Sequence, residues 1–350
     1  MKRWLKGLVV GIFVAIVGVG LGLSPLGANF EQGVGLTWLF KVRGVVEPPE
    51  EVVVVAMDSR TGDNLGLATL PRDWPRSMHG RLVDELVARG ASTIVFDVHF
   101  GREKASEDDR LFVEAVARAG RVVLVELLTG KRRPISDLQG RHVGMVWAEE
   151  LVPPFAGLVD AAAGLATFPL PKEGASVHQF WVFKESTDNA PTLPAVALQL
   201  HAREQTAAIL DLARAVAPDG LSAFTSIDQA FSKPDELRNF MRALRASYDS
   251  APDTLGDFES TSPAEPPILL EQALEGLYAG EAHRFLNFYG PPGTITTVPY
   301  HAVILGGDPN VADEALDFTG KVVFVGYSDL FDPGQPDRFY TVYTLSLIHI

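Results

Sequence analysis

Glu51–Phe100, EVVVVAMDSRTGDNLGLATLPRDWPRSMHGRLVDELVARGASTIVFDVHF, decides the fold. Val52–Met57 is a continuously apolar, β-branched run that ends at Asp58. A polar stretch follows and closes on Asp73-Trp74-Pro75-Arg76. Ser77–Arg89 then carries Leu82/Leu86 and Val83/Val87 at four-residue spacing, with Ser77 as the expected N-cap and Gly90 as the stop. Thr93–Phe96 is a second apolar run, ending at Asp97. Strands apolar on both alternating positions are covered on both faces, as in a parallel sheet flanked by helices. Strand, helix, strand predicts a right-handed βαβ unit, and ligands of such sheets gather beyond the carboxyl ends of the strands, where Asp58 and Asp97 stand.

The next repeat supports this. Ser106-Glu107-Asp108-Asp109 reads as a capping box opening a helix that Gly120 stops, and Val122–Val125 is a third apolar strand. The fold expected is α/β: a mostly parallel open sheet with helices on both faces. Further along, Val322–Gly326 is another buried strand, ending at Tyr327-Ser328-Asp329 with Asp332, Asp337 and Arg338 just beyond. A core strand returning from so far along the chain makes residues 50–344 one domain.

Between these strands the pattern is mixed. Lys131-Arg132-Arg133 reads as a solvated loop, Phe155–Ala163 as a short helix, and Leu165–Phe168 as a strand. His178–Phe183 reads as an edge strand, and Leu193–Val216, Asp235–Tyr248 and Ile268–Tyr278 as helices. Residues 251–267 mix Pro, Ser, Thr and acids without period, a mobile acidic loop. Arg284–Tyr289 and Thr294–Val298 flank Gly290-Pro291-Pro292-Gly293, reading as two strands joined by a tight loop.

The chain has 350 residues, 47% of them apolar, a formal charge of -14 and no cysteine. The acidic balance without a basic stripe argues against a nucleic-acid surface. Disulfides, thiolate catalysis and cysteine-ligated zinc are excluded. Lys2, Arg3 and Lys6 precede a segment uncharged from Gly7 to Phe30, with Leu8–Leu23 at its centre. This predicts one N-terminal transmembrane helix preceding the sheet (residues 1–28, membrane contact over 5–23), with a cytoplasmic start and the bulk of the chain extracytoplasmic. A cleaved secretory signal is the rival, and Leu26-Gly27-Ala28 matches a cleavage site poorly. Residues 29–49 form a juxtamembrane linker with Phe30, Val34, Trp38 and Val42 on one helical face, a candidate dimer contact. Leu345–Ile350 is what a translated sequencing adaptor would give, so the native chain is expected to differ after Thr344.

The eight histidines show no metal-binding spacing. Gly326-Tyr327-Ser328-Asp329-Leu330 begins like a nucleophile elbow but lacks the closing glycine, and Gly290–Gly293 lacks the Lys-Ser/Thr of a phosphate loop. Asp58, Asp97 and Asp329 are expected to converge on one rim, where three carboxylates repel unless a cation or arginine sits among them. Arg76 is the internal partner expected there. Two readings are open. In one, each Asp caps a loop or helix or pairs with Arg76, and Trp74 is packing. In the other, Asp58, Trp74, Arg76, Asp97, Ser328, Asp329 and Asp332 bind a small polar or cationic ligand, with a divalent cation on Asp58, Asp97 and Asp329.

Val52–Asp58, Trp74-Pro75-Arg76-Ser77, Gly90-Ala91, Phe96-Asp97, Phe100, Asp108-Asp109 and Gly320–Gly326 together resemble the second type of CHASE domain, the cyclase/histidine-kinase-associated sensory extracellular domain. The resemblance covers about residues 30–344, and Val325–Leu330 with Asp332-Pro333-Gly334-Gln335 is similar to members attached to class III adenylate/guanylate cyclases. It implies a receptor with an N-terminal membrane helix, an extracytoplasmic sensor, later membrane helices and a cytoplasmic output domain beyond this chain. It carries no cyclase catalytic residue onto any position here. The function expected is a sensory input domain, non-enzymatic in itself and a homodimer. The alternatives are an extracytoplasmic metal-assisted hydrolase and a structural dimerisation module.

Overall fold

A computed structural model of the chain describes residues 3–22, 24, 31–104, 106–136, 139, 141–171, 176–216, 221–250, 266–328, 338–343 and 345–347. Six strands form one parallel sheet: β1 (Val52–Met57), β2 (Thr93–Asp97), β3 (Val122–Val125), β4 (Gly164–Ala166), β5 (Thr297–Pro299) and β6 (Val322–Tyr327). Their order is β5-β1-β6-β2-β3-β4. The strand from far along the chain, β6, is therefore inserted between the first two, with Ala56, Gly326 and Asp97 in line across it.

Side-chain alternation explains why these runs are apolar throughout. Val53, Val55, Met57, Ile94 and Phe96 point to one face and pack on Leu82, Val83 and Leu86 of helix Arg76–Ala88 and on Phe112 and Val116 of helix Ser106–Ala119. Val95, Val123, Ala166 and Val322 point to the other face, into a core built from helices Leu193–His201, Thr206–Val216, Pro234–Ser250 and Pro266–Ala279. Burying each large aliphatic side chain stabilises the fold by roughly 1.5–3 kcal/mol, so both faces must stay covered. The two helices on the first face touch closely at Gly80, where a Cβ would stand 3.1 Å from Leu111 O. Gly90 takes φ +83° at the helix end, and a Cβ there would meet Thr319 Cα at 2.9 Å.

Several expectations are corrected. Ser59–Leu65, inside the stretch taken as a polar loop, is a helix capped by Asp58 and ended by left-handed Gly66. It has no apolar period because its caps define it. The next helix starts at Arg76 rather than Ser77, with Pro75 in the N-cap position. Leu193–Val216 is two helices separated by a 3-10 turn at Arg203–Gln205, where Thr206 Oγ1 bonds back to Ala202 O at 3.2 Å. Lys131-Arg132-Arg133 lies not in a loop but in a long hairpin, Leu127–Ser136 paired with His142–Val152; its exposure on both faces hides the strand period. Residues flanking Gly290–Gly293 do not pair with each other. His283–Phe285 joins Gln179–Trp181 antiparallel, the edge strand expected at 178–183, while Thr297–Pro299 joins the main sheet beside β1. Most of the expected loop at 251–267 lies outside the described residues, and Pro266 and Pro267 open a helix.

Arg3–Gly22 is a 20-residue helix. Among the described residues no helix is long and apolar enough to cross a membrane. In the linker, Trp38 and Val42 are exposed as one face, and it is Phe40 that turns inward, against Phe288 and Tyr343. Arg43 fixes that contact through Asn287 Oδ1 at 2.6 Å and Phe288 O.

Candidate functional site

The carboxyl edge of the sheet places Asp58 after β1, Ser328 after β6 and Asp97 at the end of β2, on three adjacent strands. Asp58 is buried at this edge. Its Oδ1 accepts from Thr61 N at 2.8 Å and Thr61 Oγ1 at 2.6 Å, and Arg60 Nε reaches Oδ2 at 3.3 Å. It is thus an N-cap, the structural role that the sequence left open for it. Ser328 is buried as well, and its N–H donates to Met57 O at 3.1 Å, prolonging the pairing of β6 with β1. Asp97 is exposed and faces a bare backbone, because a Cβ built on neighbouring Gly326 would lie only 3.7 Å from Asp97 Cβ. Asp329 and Asp332 lie outside the described residues.

Arg76 does not serve this rim. Its Nη1 bonds Asp109 Oδ1 at 2.6 Å, another of its amines bonds Arg102 O, and its guanidinium lies over the rings of Phe155 and Phe100 at 4.8 and 5.6 Å. The reason is the helix it opens: Arg76–Ala88 packs on Ser106–Ala119, which brings Asp109 to it before any strand-end acid. Asp109 is therefore no simple capping-box residue, for its second oxygen accepts from Lys104 N at 2.7 Å. Trp74 is 1% exposed, with its indole N–H donating to Ala68 O at 2.6 Å and its ring against Tyr300. It is packing, not a stacking platform.

Two groups near this edge escaped the sequence reading. Thr61 Oγ1 continues to His301 Nδ1 at 3.1 Å, and His301 Nε2 reaches Asp308 Oδ2 at 2.7 Å and Asn64 Nδ2 at 3.1 Å. A polar chain thus runs from Asp58 to Asp308, whose carboxyl is held below the usual range by the Asn310 backbone N–H and then by His301. No spacing signal links residues 61 and 301. Glu126 is different: it directly follows β3, so the strand-end rule that marked Asp58 and Asp97 also marks it. It is buried and ion-paired with Arg238, and burial pushes its carboxyl up against the pull of that arginine.

Among the described residues no group of three or more histidines or carboxylates is placed to hold a metal ion. Asp58 and Glu126 already have donors. Of the three acids at this edge, Asp97 is the one exposed to solvent. Replacing Asp58 by Ala removes the cap and one of the partners of the buried Thr61 hydroxyl, and costs about 1–2 kcal/mol in urea unfolding, with Asn retaining most of it.

A model of the CHASE2 domain family matches residues 11–349 of the chain. No curated protein and no solved structure matches it.

Proposed function

The chain belongs to the CHASE2 domain family of sensory extracellular domains, and from that premise we propose that it is the signal-input domain of a membrane-bound receptor with an adenylate/guanylate cyclase output. The input is a small polar or cationic ligand held at the carboxyl edge by Asp97, and Asp329 and Asp332, which follow Ser328 in sequence, are the further acids proposed for it. The observation that carries this reading is Asp97 itself, exposed at the end of a central strand of a parallel sheet and facing Gly326. Membrane attachment runs through residues 5–23. The exposed apolar side chains of Arg3–Gly22, among them Phe13 and Ile16, support it, and in sequence the uncharged run continues to Phe30.

Contacts between the sheet and the linker support this reading. β5 lies beside β1, and the segment leading into β5 holds Asn287 and Phe288, on which the linker docks through Phe40 and Arg43. A ligand alters output only by binding two arrangements of this linker differently.

The test is thermal unfolding of the full chain with calcium chloride, magnesium chloride or spermidine. At least one should raise Tm by about 3 °C or more, saturably, and Asp97→Ala should abolish the shift. No shift with any of the three, or an equal shift in Asp97→Ala, removes the edge as the ligand site.

A further inference from the structure

The hairpin Leu127–Ser136/His142–Val152 stands apart from the main sheet, and among the described residues each of its strands pairs only with the other; the base of His142–Val152 rests on Glu185–Thr187, where Glu149 holds Lys184 and Ser186. Two-stranded ribbons are marginal in water, and this one leaves Val143, Met145 and Trp147 60–65% exposed. Trp147 lies across Gly130, where a Cβ would run into its ring, so the indole is fixed on the ribbon rather than free to fold back on the body.

The two outer edges differ. Leu127–Ser136 carries Lys131, Arg132, Arg133 and Pro134, the devices that keep an edge from pairing. Val143–Ala148, VGMVWA, carries no charge and no proline and is open to a further strand. We propose that this edge pairs antiparallel with the same edge of a second copy of the chain, joining two hairpins into a four-stranded sheet about a two-fold axis through Met145.

The register follows from symmetry and charge. A two-fold axis normal to an antiparallel sheet keeps every residue on its own face, so facing residues are both odd or both even in number. Centring on Met145 sets Met145 opposite Met145, Val143 opposite Trp147 and Arg141 opposite Glu149. Centring on Val146 instead sets Val143 against Glu149 and Arg141 against Leu151. Centring on Gly144 sets Arg141 against Trp147. Of these three, only the Met145 centre matches apolar with apolar from Val143 to Trp147, and it adds Arg141 of the second copy to a Glu149 that already holds Lys184 and Ser186. A bilayer is the less fitting occupant of this arm. The Arg3–Gly22 helix feeds the sheet at the amino end of β1, whereas the hairpin leaves β3 at its carboxyl end. This inference does not depend on the ligand reading above.

Because the chain has no cysteine, Met145→Cys introduces a single thiol. In the full chain under mild oxidation it should form a disulfide-linked dimer almost completely, while Val146→Cys, a residue off the axis, should cross-link at least about tenfold more slowly. Met145→Lys, which sets two ammonium groups face to face, should raise the dimer dissociation constant at least about tenfold by sedimentation, and an equimolar mixture with Met145→Glu should restore it. That rescue separates a lost contact from a lost fold. A wild-type chain monomeric at tens of micromolar, equal cross-linking at both positions, or a dimer indifferent to Met145→Lys overturns the proposal.

Discussion

Arg76→Met should destabilise the chain by about 3–5 kcal/mol, more than any surface substitution. The side chains of Arg76 and Asp109 are only 5% and 7% exposed, so removing the guanidinium leaves a buried carboxylate whose remaining donor among the described residues is the Lys104 backbone N–H. The cation also loses the faces of Phe100 and Phe155. Asp109→Asn should cost less, because the amide oxygen can still accept from Arg76. Arg76→Met with Asp109→Leu should recover much of the loss, since two apolar groups need no partners. The measurement is the urea midpoint at constant m-value for the four proteins. Equal losses in the single and double variants would mean that cavities, rather than the stranded charge, cause the effect.

The second large effect depends on pH. His79 is buried among the rings of Trp74, Phe96, Phe100, Phe112 and Tyr300, with Nδ1 3.1 Å from the Tyr300 hydroxyl. Burial first, then the nearby Arg76 and Lys104 charges, lower its pKa from 6.5 to about 3. Below pH 6.5 the unfolded chain takes up a proton here that the folded chain refuses. Stability therefore falls as pH drops, by about 1.4 kcal/mol per pH unit from this one group, until about pH 3. Carboxylates add to the acid slope, so the diagnostic is a difference. Between pH 6 and 4, His79→Gln should show a slope shallower by about 1 kcal/mol per pH unit than the wild type. Identical slopes would mean that His79 is protonated in the folded state. Arg76 and His79 share one aromatic enclosure, so their effects should be non-additive.

Much of the scaffold was readable from short-range pattern. Val52–Met57, Thr93–Phe96, Val122–Val125 and Val322–Gly326 announce themselves because a strand covered on both faces has no polar positions to interrupt it. Helix stops between them are written in local chemistry at Gly90 and Gly120, whereas the start expected at Ser77 lies at Arg76. The strand-end rule placed Asp58 and Asp97 on one edge, and applied to β3 it would have added Glu126.

Where local pattern fails, the cause lies in partners distant along the chain. Asp58 is buried where Thr61, bonded to it, reaches His301, and Arg76 is claimed by Asp109 thirty-three residues away, because two helices pack side by side. The chain from Thr61 to His301 and the asymmetric edges of the hairpin are invisible to periodicity. Sequence by itself determined the α/β class, the buried strands and the acids that end them, since each depends on neighbours within a few residues. Only the tertiary structure decided strand order, which charges neutralise one another, and which acid is left facing solvent. Those depend on what burial brings within about 3 Å, where a buried charge must find a partner or lose its charge.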